Sequence, residues 1–331
     1  MRRWALRALP FVVVAVVFGL ALPKIASYRD VIDEVADASG RAIAVLVAAT
    51  VLNVITFAPP WQAAFAGLGF VRALLVTQAS TATASLLPGG EAVGAGFSVG
   101  ILRAWGFSRG AIAAGLAVLT AFNLLTKVVF ALLALAAVLA TGGAGGPLAV
   151  LTVVGVAVAA AVVVVATLAL RSDAAAHRVG TLGGRVFERV RALLRRPPGQ
   201  PLGDRLVHFR REMVGLLGTR GAWIAAGMLV GNLTVFLVLL VAMRAVGIGG
   251  DDVSVAEAFA GWSLVRLVTA IPITPGGIGV VELGLTGALV AAGADQAEAV
   301  AAVLLYRLCT WAPPILLGIP SFLFWRRLRL R

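Results

Sequence analysis

The stretch TPGGIGVVE, residues 274–282, interrupts an apolar region that spans 255–292. Proline ends a helix by removing a backbone donor, and glycine permits turn backbone. A second interruption of the same kind, LLPGGEAVGAG, is centred on Pro88, Gly89 and Gly90 within the apolar region 72–105. Each break leaves roughly 13–20 residues on either side, where a helix crossing the hydrocarbon layer needs about 20. Each region therefore reads as a re-entrant hairpin of two shorter helices that enters and leaves on one side. Two kinked full spans, or one span plus a loop, are the other readings of the same residues.

Working outward, the remaining apolar runs are long and unbroken. They cover about 8–25, 41–58, 111–139, 147–170, 221–243 and 299–324. Sixty per cent of the 331 residues are hydrophobic and 13% are charged, against about 25% charged in a soluble domain. A water-soluble chain is excluded on that balance, and so is disorder. The runs are too long for barrel strands, and in lipid the backbone must satisfy its own hydrogen bonds. The expected fold is an all-α, polytopic membrane bundle with about six full spans plus two re-entrant Pro-Gly-Gly hairpins. It forms one integral membrane domain over 1–331.

Charge orients the spans. The segment 171–220 carries 11 Arg against Asp173, Glu188, Asp204 and Glu212, and both termini are basic. Positive loops stay in the cytoplasm. The acidic loops, with Asp30, Asp33, Glu34 and Asp37 and then Asp251, Asp252 and Glu257, face outward. Both termini are thus expected on the cytoplasmic side of a bacterial cell membrane. Stretches such as Val186–Leu194 and Leu206–Leu217 in the basic loop read as amphipathic helices on the anionic inner leaflet. Divided near 145, the chain repeats one plan: span, span, broken hairpin, span. With three full crossings in each half, 1–145 and 146–325 form an inverted repeat, a plan with its substrate site at the repeat interface. An ordinary multi-span bundle with glycines at close helix crossings is the alternative.

Ionisable groups inside apolar elements are candidates for function, because each is costly in lipid unless paired or hydrated. Here they are Glu91, Arg103, Lys127, Arg266, Glu282 and Arg307, with Asn123 one turn before Lys127 on the same helix face. Four bases against two acids leave two cations in excess. Arg binds phosphate bidentately, Lys adds a point charge, and helix N-termini at the Pro-Gly-Gly breaks favour anions. The set therefore suits an anionic lipid phosphate. Internal salt bridges tying hairpins to spans are the alternative. Arg72 and Arg109 lie at span boundaries and read as interfacial anchors. Pro59, Pro60 and Trp61 read as a tight turn with an interfacial aromatic, and Trp105, Trp223, Trp311 and Trp325 as residues of span or hairpin ends.

Other chemistry is missing from the sequence. There is no G-x-x-x-x-G-K-[ST] loop and no H-E-x-x-H. A single cysteine, Cys309, and two histidines, His177 and His208, offer neither a disulfide framework nor a metal site. No cofactor and no metal are expected. The net charge of +13 would suggest nucleic acid on a soluble surface, but the basic residues cluster between and beyond apolar runs, so no nucleic-acid partner is expected.

These motifs together resemble the lysylphosphatidylglycerol synthase transmembrane-region family, also described as flippase-like integral membrane proteins. TPGGIGVVE, followed by Leu283–Ala288, carries most of the likeness. LLPGG at 86–90, GFSRG at 106–110 and NLLTKVVF at 123–130 support it. The resemblance covers nearly the whole chain. It maps the family motif onto Pro275, Gly276, Gly277, Gly279 and Glu282. It implies movement of a lipid between leaflets by the membrane half of a two-part protein, whose soluble half transfers an amino acid. The chain ends at Arg331, a few residues past its last span, so a stand-alone member without aminoacyl transfer is expected. After Gly90 and Glu91 the chain continues with Ala92 and Val93, without an Arg before Arg103, unlike the more charged pattern of many relatives. Headgroup specificity is therefore not carried over.

The expected function is flippase-like translocation of an anionic phospholipid or lipid-linked envelope precursor, with anionic lipids and envelope lipid biosynthetic enzymes as partners. A proton-coupled small-solute transporter using Glu91 or Glu282, a non-transporting scaffold and a membrane enzyme acting on a lipid are the competing classes. The topology is tested by single cysteines at 30, 200 and 251 on a Cys309-free background. Positions 30 and 251 should be labelled from outside intact cells. Labelling of position 200 from outside would overturn the orientation.

Overall fold

The computed structural model describes residues 38–86, 90–140, 172–175, 177, 178, 181, 202–269 and 275–329. The expected spans at 8–25 and 147–170, the break at Pro88 and Gly89, the amphipathic stretch Val186–Leu194 and the last residues of the chain lie outside these. Among the described residues every element is helical. In chain order they are α1 (Gly40–Thr56), α2 (Ala58–Ala64), α3 (Phe70–Leu86), α4 (Gly90–Ala104), α5 (Arg109–Ala140), α6 (Leu202–Ala245), α7 (Val255–Val268), a 3-10 turn (Pro275–Gly277), α8 (Val280–Ala292) and α9 (Gln296–Arg329). Among the described residues, four helical stretches are long and apolar enough to cross a membrane: Gly40–Ala64, Arg109–Ala134, Met213–Ala245 and Gln296–Gly318. They coincide with four of the spans read from the sequence.

Helix α6 organises the bundle. It packs against α1, α2, α5 and α9. Its 44 residues reach about 66 Å at 1.5 Å per residue, roughly twice the hydrocarbon thickness. Only the apolar part from Met213 onward suits the membrane; the part before it carries Arg205, Arg210 and Arg211. The stretch Leu206–Leu217, expected as a separate amphipathic helix, is instead continuous with the span, because no proline interrupts 202–245. Asp173 accepts hydrogen bonds from Arg210 (2.6 Å) and Arg211 (2.7 and 3.1 Å) on this extension. The hydrogen-bonded Arg211 guanidinium holds the Asp173 carboxyl below its ordinary range.

Small and polar residues set the helix contacts, as expected where lipid gives no hydrophobic drive between helices. On α6, Gly227 receives Pro60 and Gly231 receives the ring of Phe57. Asn53 of α1 donates to Thr234 Oγ1 at 3.1 Å, and the Thr56 and Thr234 hydroxyls lie 2.8 Å apart. The Pro59-Pro60 pair opens α2 rather than a bare turn, since proline needs no donor in a first helical turn. Trp61 is buried and packs on Phe65 with ring centroids 5.8 Å apart. At the other end of the bundle, Phe130, Phe236, Phe259 and Trp262 form an aromatic cluster with centroids 5.1 to 5.9 Å apart.

The two interrupted regions each form an antiparallel helix pair. A Cβ on Gly94 would lie 2.7 Å from the Ser80 carbonyl oxygen, so α4 returns along α3 at backbone contact. In the second pair, a Cβ on Gly261 would lie 2.7 Å from that of Ala288, and one on Gly284 would lie 3.0 Å from Val265. Partners are exchanged between the pairs: α5 packs on α7, and α9 packs on α3.

Leucine at Gly94 or Gly261 would force these arms apart. Each should lower stability by about 1–3 kcal/mol, the usual cost of overpacking. Gly96, with nothing within 4 Å of its missing Cβ, is the control: Gly96→Ala should be neutral or slightly stabilising. Thermal unfolding of purified variants in detergent checks the contrast.

Candidate functional site

The second helix break is built by three glycines with positive φ: Gly276 (56°), Gly277 (70°) and Gly279 (86°). Gly276 is held to glycine twice over. Its backbone is left-handed, and a Cβ there would lie 2.6 Å from the Trp311 ring and 3.2 Å from Ser85. Ser85 sits near the end of α3, just before residues 87–89. The Pro275–Gly277 turn thus packs against the end of the first helix pair.

Breaking a helix frees backbone donors and acceptors, and these are met by charge. Glu282 is the third residue of α8 and turns back, so its Oε2 accepts the Gly279 N–H at 2.7 Å. Its Oε1 accepts from Arg307 Nε of α9 at 2.8 Å. Arg307 Nη2 donates to the Gly276 carbonyl at 3.0 Å, and the guanidinium lies 4.1 Å from the centroid of the Trp311 ring. Glu282 is 2% exposed, so this is a buried ion pair with further hydrogen bonds on both members.

A second polar cluster joins three helices. Asn232 of α6, fully buried, accepts from Arg266 Nη2 of α7 at 2.6 Å. Its amide nitrogen donates to Asn123 of α5 at 3.2 Å and to the Met228 carbonyl at 2.9 Å. Arg266 also lies over the Trp262 ring at 5.5 Å. One turn further along α7, Thr269 meets Gly277: a Cβ on that glycine would lie 3.1 Å from the Thr269 methyl. The Glu282–Arg307 pair bonds this turn directly, and Arg266 stands one helical turn before the residue that touches it.

Of the residues expected from the sequence, Gly276, Gly279, Glu282 and Arg307 meet directly, and Asn123 and Arg266 meet through Asn232. Lys127 is half-buried one turn after Asn123. Arg103 is exposed in the last turn of α4, where a cation complements the carbonyl end of a helix. Glu91 falls in the first turn of α4, and its side chain, like that of Pro275, lies outside the described residues. Arg244, in the last turn of α6, donates to the Ile248 carbonyl and closes the turn that follows. Arg72 stacks 5.5 Å from Trp105.

Two residues of the site escaped the sequence reading. Trp311 reads as a span-end aromatic but packs beneath Arg307. It stands four residues after Arg307, a one-turn spacing that brings a cation and an aromatic face together. Asn232 was passed over as one neutral residue in a long apolar run. Its burial beside an arginine is set by helix packing, which its own span does not reveal.

A bundle of this kind, with long apolar helices, two interrupted helix pairs and charged groups in the interior, defines a multi-pass helical membrane protein. The family described as lysylphosphatidylglycerol synthase TM region matches residues 7–318, and the chain belongs to it. The match describes the membrane region, so aminoacyl transfer is not attributed to these residues. No curated protein and no solved structure gives a significant match to the chain.

The buried pair should respond asymmetrically to substitution. Removing one partner of a buried pair leaves the other charge uncompensated, so Glu282→Gln or Arg307→Met should each cost about 3–5 kcal/mol. The double variant should cost less than the sum of the two. Unfolding free energies in bicelles, arranged as a double-mutant cycle, measure the coupling; additive losses would show that the pair does not act as a unit.

Proposed function

We propose that the protein moves an anionic phospholipid or lipid-linked envelope precursor between the leaflets of the bacterial cell membrane. The observation that carries this reading is the presence of Arg307 and Arg266, two arginines within apolar elements, one bonded to the glycine turn and the other one helical turn before a residue that touches it. Such charge is costly in lipid, and a phosphate is the membrane component whose charge and geometry it fits. The family membership of the chain supports the same reading. Both oxygens of Glu282 are engaged, which favours a role in holding Arg307 and the turn in place over binding a headgroup amine. Arg266, Arg307, Lys127 and Asn123 are the residues assigned to the phosphate path, with Glu91 and Arg103 contributing from the first helix pair.

The reading includes an inverted repeat of 1–145 and 146–325 within a single domain, with both Pro-Gly-Gly breaks inside the membrane as re-entrant hairpins and both termini cytoplasmic. Exchanged packing supports it: the last long helix of each half, α5 or α9, lies against the first arm of the other half's interrupted pair. Contact of the Pro275–Gly277 turn with Ser85 brings the two breaks close, where a repeat interface would carry its substrate. Envelope lipid biosynthetic enzymes fit as suppliers of the cargo.

Leaflet exchange tests the function. Purified protein in liposomes should accelerate exchange of labelled phosphatidylglycerol over labelled phosphatidylcholine. Arg266→Ala and Arg307→Ala should lower that exchange about tenfold or more, as expected for loss of a charged hydrogen bond worth about 1.5–3 kcal/mol. Rates are normalised to folded protein. Unchanged exchange across Glu282→Gln, Arg266→Ala and Arg307→Ala would remove these residues from the transport path.

A further inference from the structure

Away from the glycine turn, a cavity of about 320 Å³ opens between the end of α2, the start of α5 and the first part of α6. Phe65, Phe107, Ala111 and Leu216 give it apolar walls, and Thr219 and Arg220 give it a polar edge. Its size falls at the lower end of the range for ligand pockets, about 300–1,000 Å³. That accommodates part of one hydrocarbon chain, not a whole lipid.

Its level along α6 says what can reach it. Arg220 is the last basic residue before the apolar run 221–243, seven residues after Met213. Trp223, one turn beyond Thr219, is 74% exposed, as suits an aromatic side chain at the membrane–water boundary. Arg109 lies in sequence between the lining residues Phe107 and Ala111 and is exposed in the first turn of α5. An apolar slot whose edge carries cations at an interfacial level matches an anionic amphiphile in both parts. Arg220 already touches the Ala63 carbonyl, through Nη1 at 3.4 Å, and Nη1 is one of several donors on the guanidinium.

The geometry points to a second lipid site: this cavity holds an acyl chain of an anionic phospholipid of the adjacent leaflet, with its phosphate at Arg220. The site is separate from the Arg266 and Arg307 clusters and involves no leaflet exchange. It would fasten the start of α6 and the end of α2 to the membrane surface. Occupancy would depend on the anionic lipid content of that leaflet.

The test uses the full chain in liposomes containing phosphatidylglycerol with a photoactivatable diazirine in one acyl chain. Adducts should map to the peptides bearing Phe65, Phe107 and Leu216. Gly215 lines the cavity and has nothing within 4 Å of its missing Cβ, so Gly215→Leu extends a side chain into it. It should cut labelling of these peptides at least fivefold and leave labelling of the lipid-facing surface of α1 unchanged. Ala111→Leu is the second filling variant, should the first not fold. Arg220→Gln should reduce the preference for phosphatidylglycerol over a diazirine phosphatidylcholine at least threefold. Labelling of the wild type that spares these peptides would overturn the site, as would a slot filled instead by a segment of the chain itself, seen as a cross-link between them. Equal labelling by both lipids would reduce it to ordinary lipid contact and overturn it too. None of these readouts depends on transport, so failure here leaves the proposed function standing, and failure of exchange leaves this site testable.

Discussion

The ion pair between Glu282 and Arg307 answers a constraint that governs any helix interrupted inside an apolar bundle: freed backbone groups must find partners. Three positive-φ glycines break the chain before α8, leaving the Gly276 carbonyl and the Gly279 N–H to be met. Arg307 takes the first and Glu282 the second, and each neutralises the other. A polar turn thereby becomes compatible with an apolar bundle. Much of the surrounding structure serves this arrangement. Trp311 covers the guanidinium, and Ser85 brings the first helix pair against the turn.

The rest of the bundle is assembled by close approach. In water, burying apolar surface would drive the helices together; between lipid-exposed helices that drive is absent, and packing and interhelical hydrogen bonds take its place. Glycines on α4, α6, α7 and α8 admit a neighbouring backbone, ring or methyl group at several helix crossings. Asn53 with Thr234, and Asn232 with Asn123, add hydrogen bonds between helices distant in sequence. Large apolar side chains such as Val47, Leu133 and Leu316 remain exposed on the outside, as a lipid-facing surface requires.

The two arginine clusters act in different ways. The Glu282–Arg307 pair, bonded on both members, holds the helix break. The Arg266 cluster, through Asn232 and Asn123, ties three helices together beside it.

Much of this was legible in the chain. Long apolar runs separated by arginine-rich or acidic segments identify a helical membrane protein. Pro-Gly-Gly marks where helices stop, since both effects act through the local backbone and need no partner. Glu282, three residues after Gly279, can be read as a helix-start acid for the same reason. Other features depend on residues far apart in sequence. That Arg307 pairs with Glu282, that Asn232 receives Arg266, and that Trp311 covers a guanidinium are decided by which helix faces meet. The same holds for Trp61, buried because α2 folds back under α6 at Gly227 and Gly231. The sequence by itself determined the elements, their interruptions and the cost of the charges they carry; only the tertiary structure decided how those charges are shared. Helix propensity and hydropathy act within a few residues, whereas the partner of a buried charge is chosen by the packing of the whole bundle.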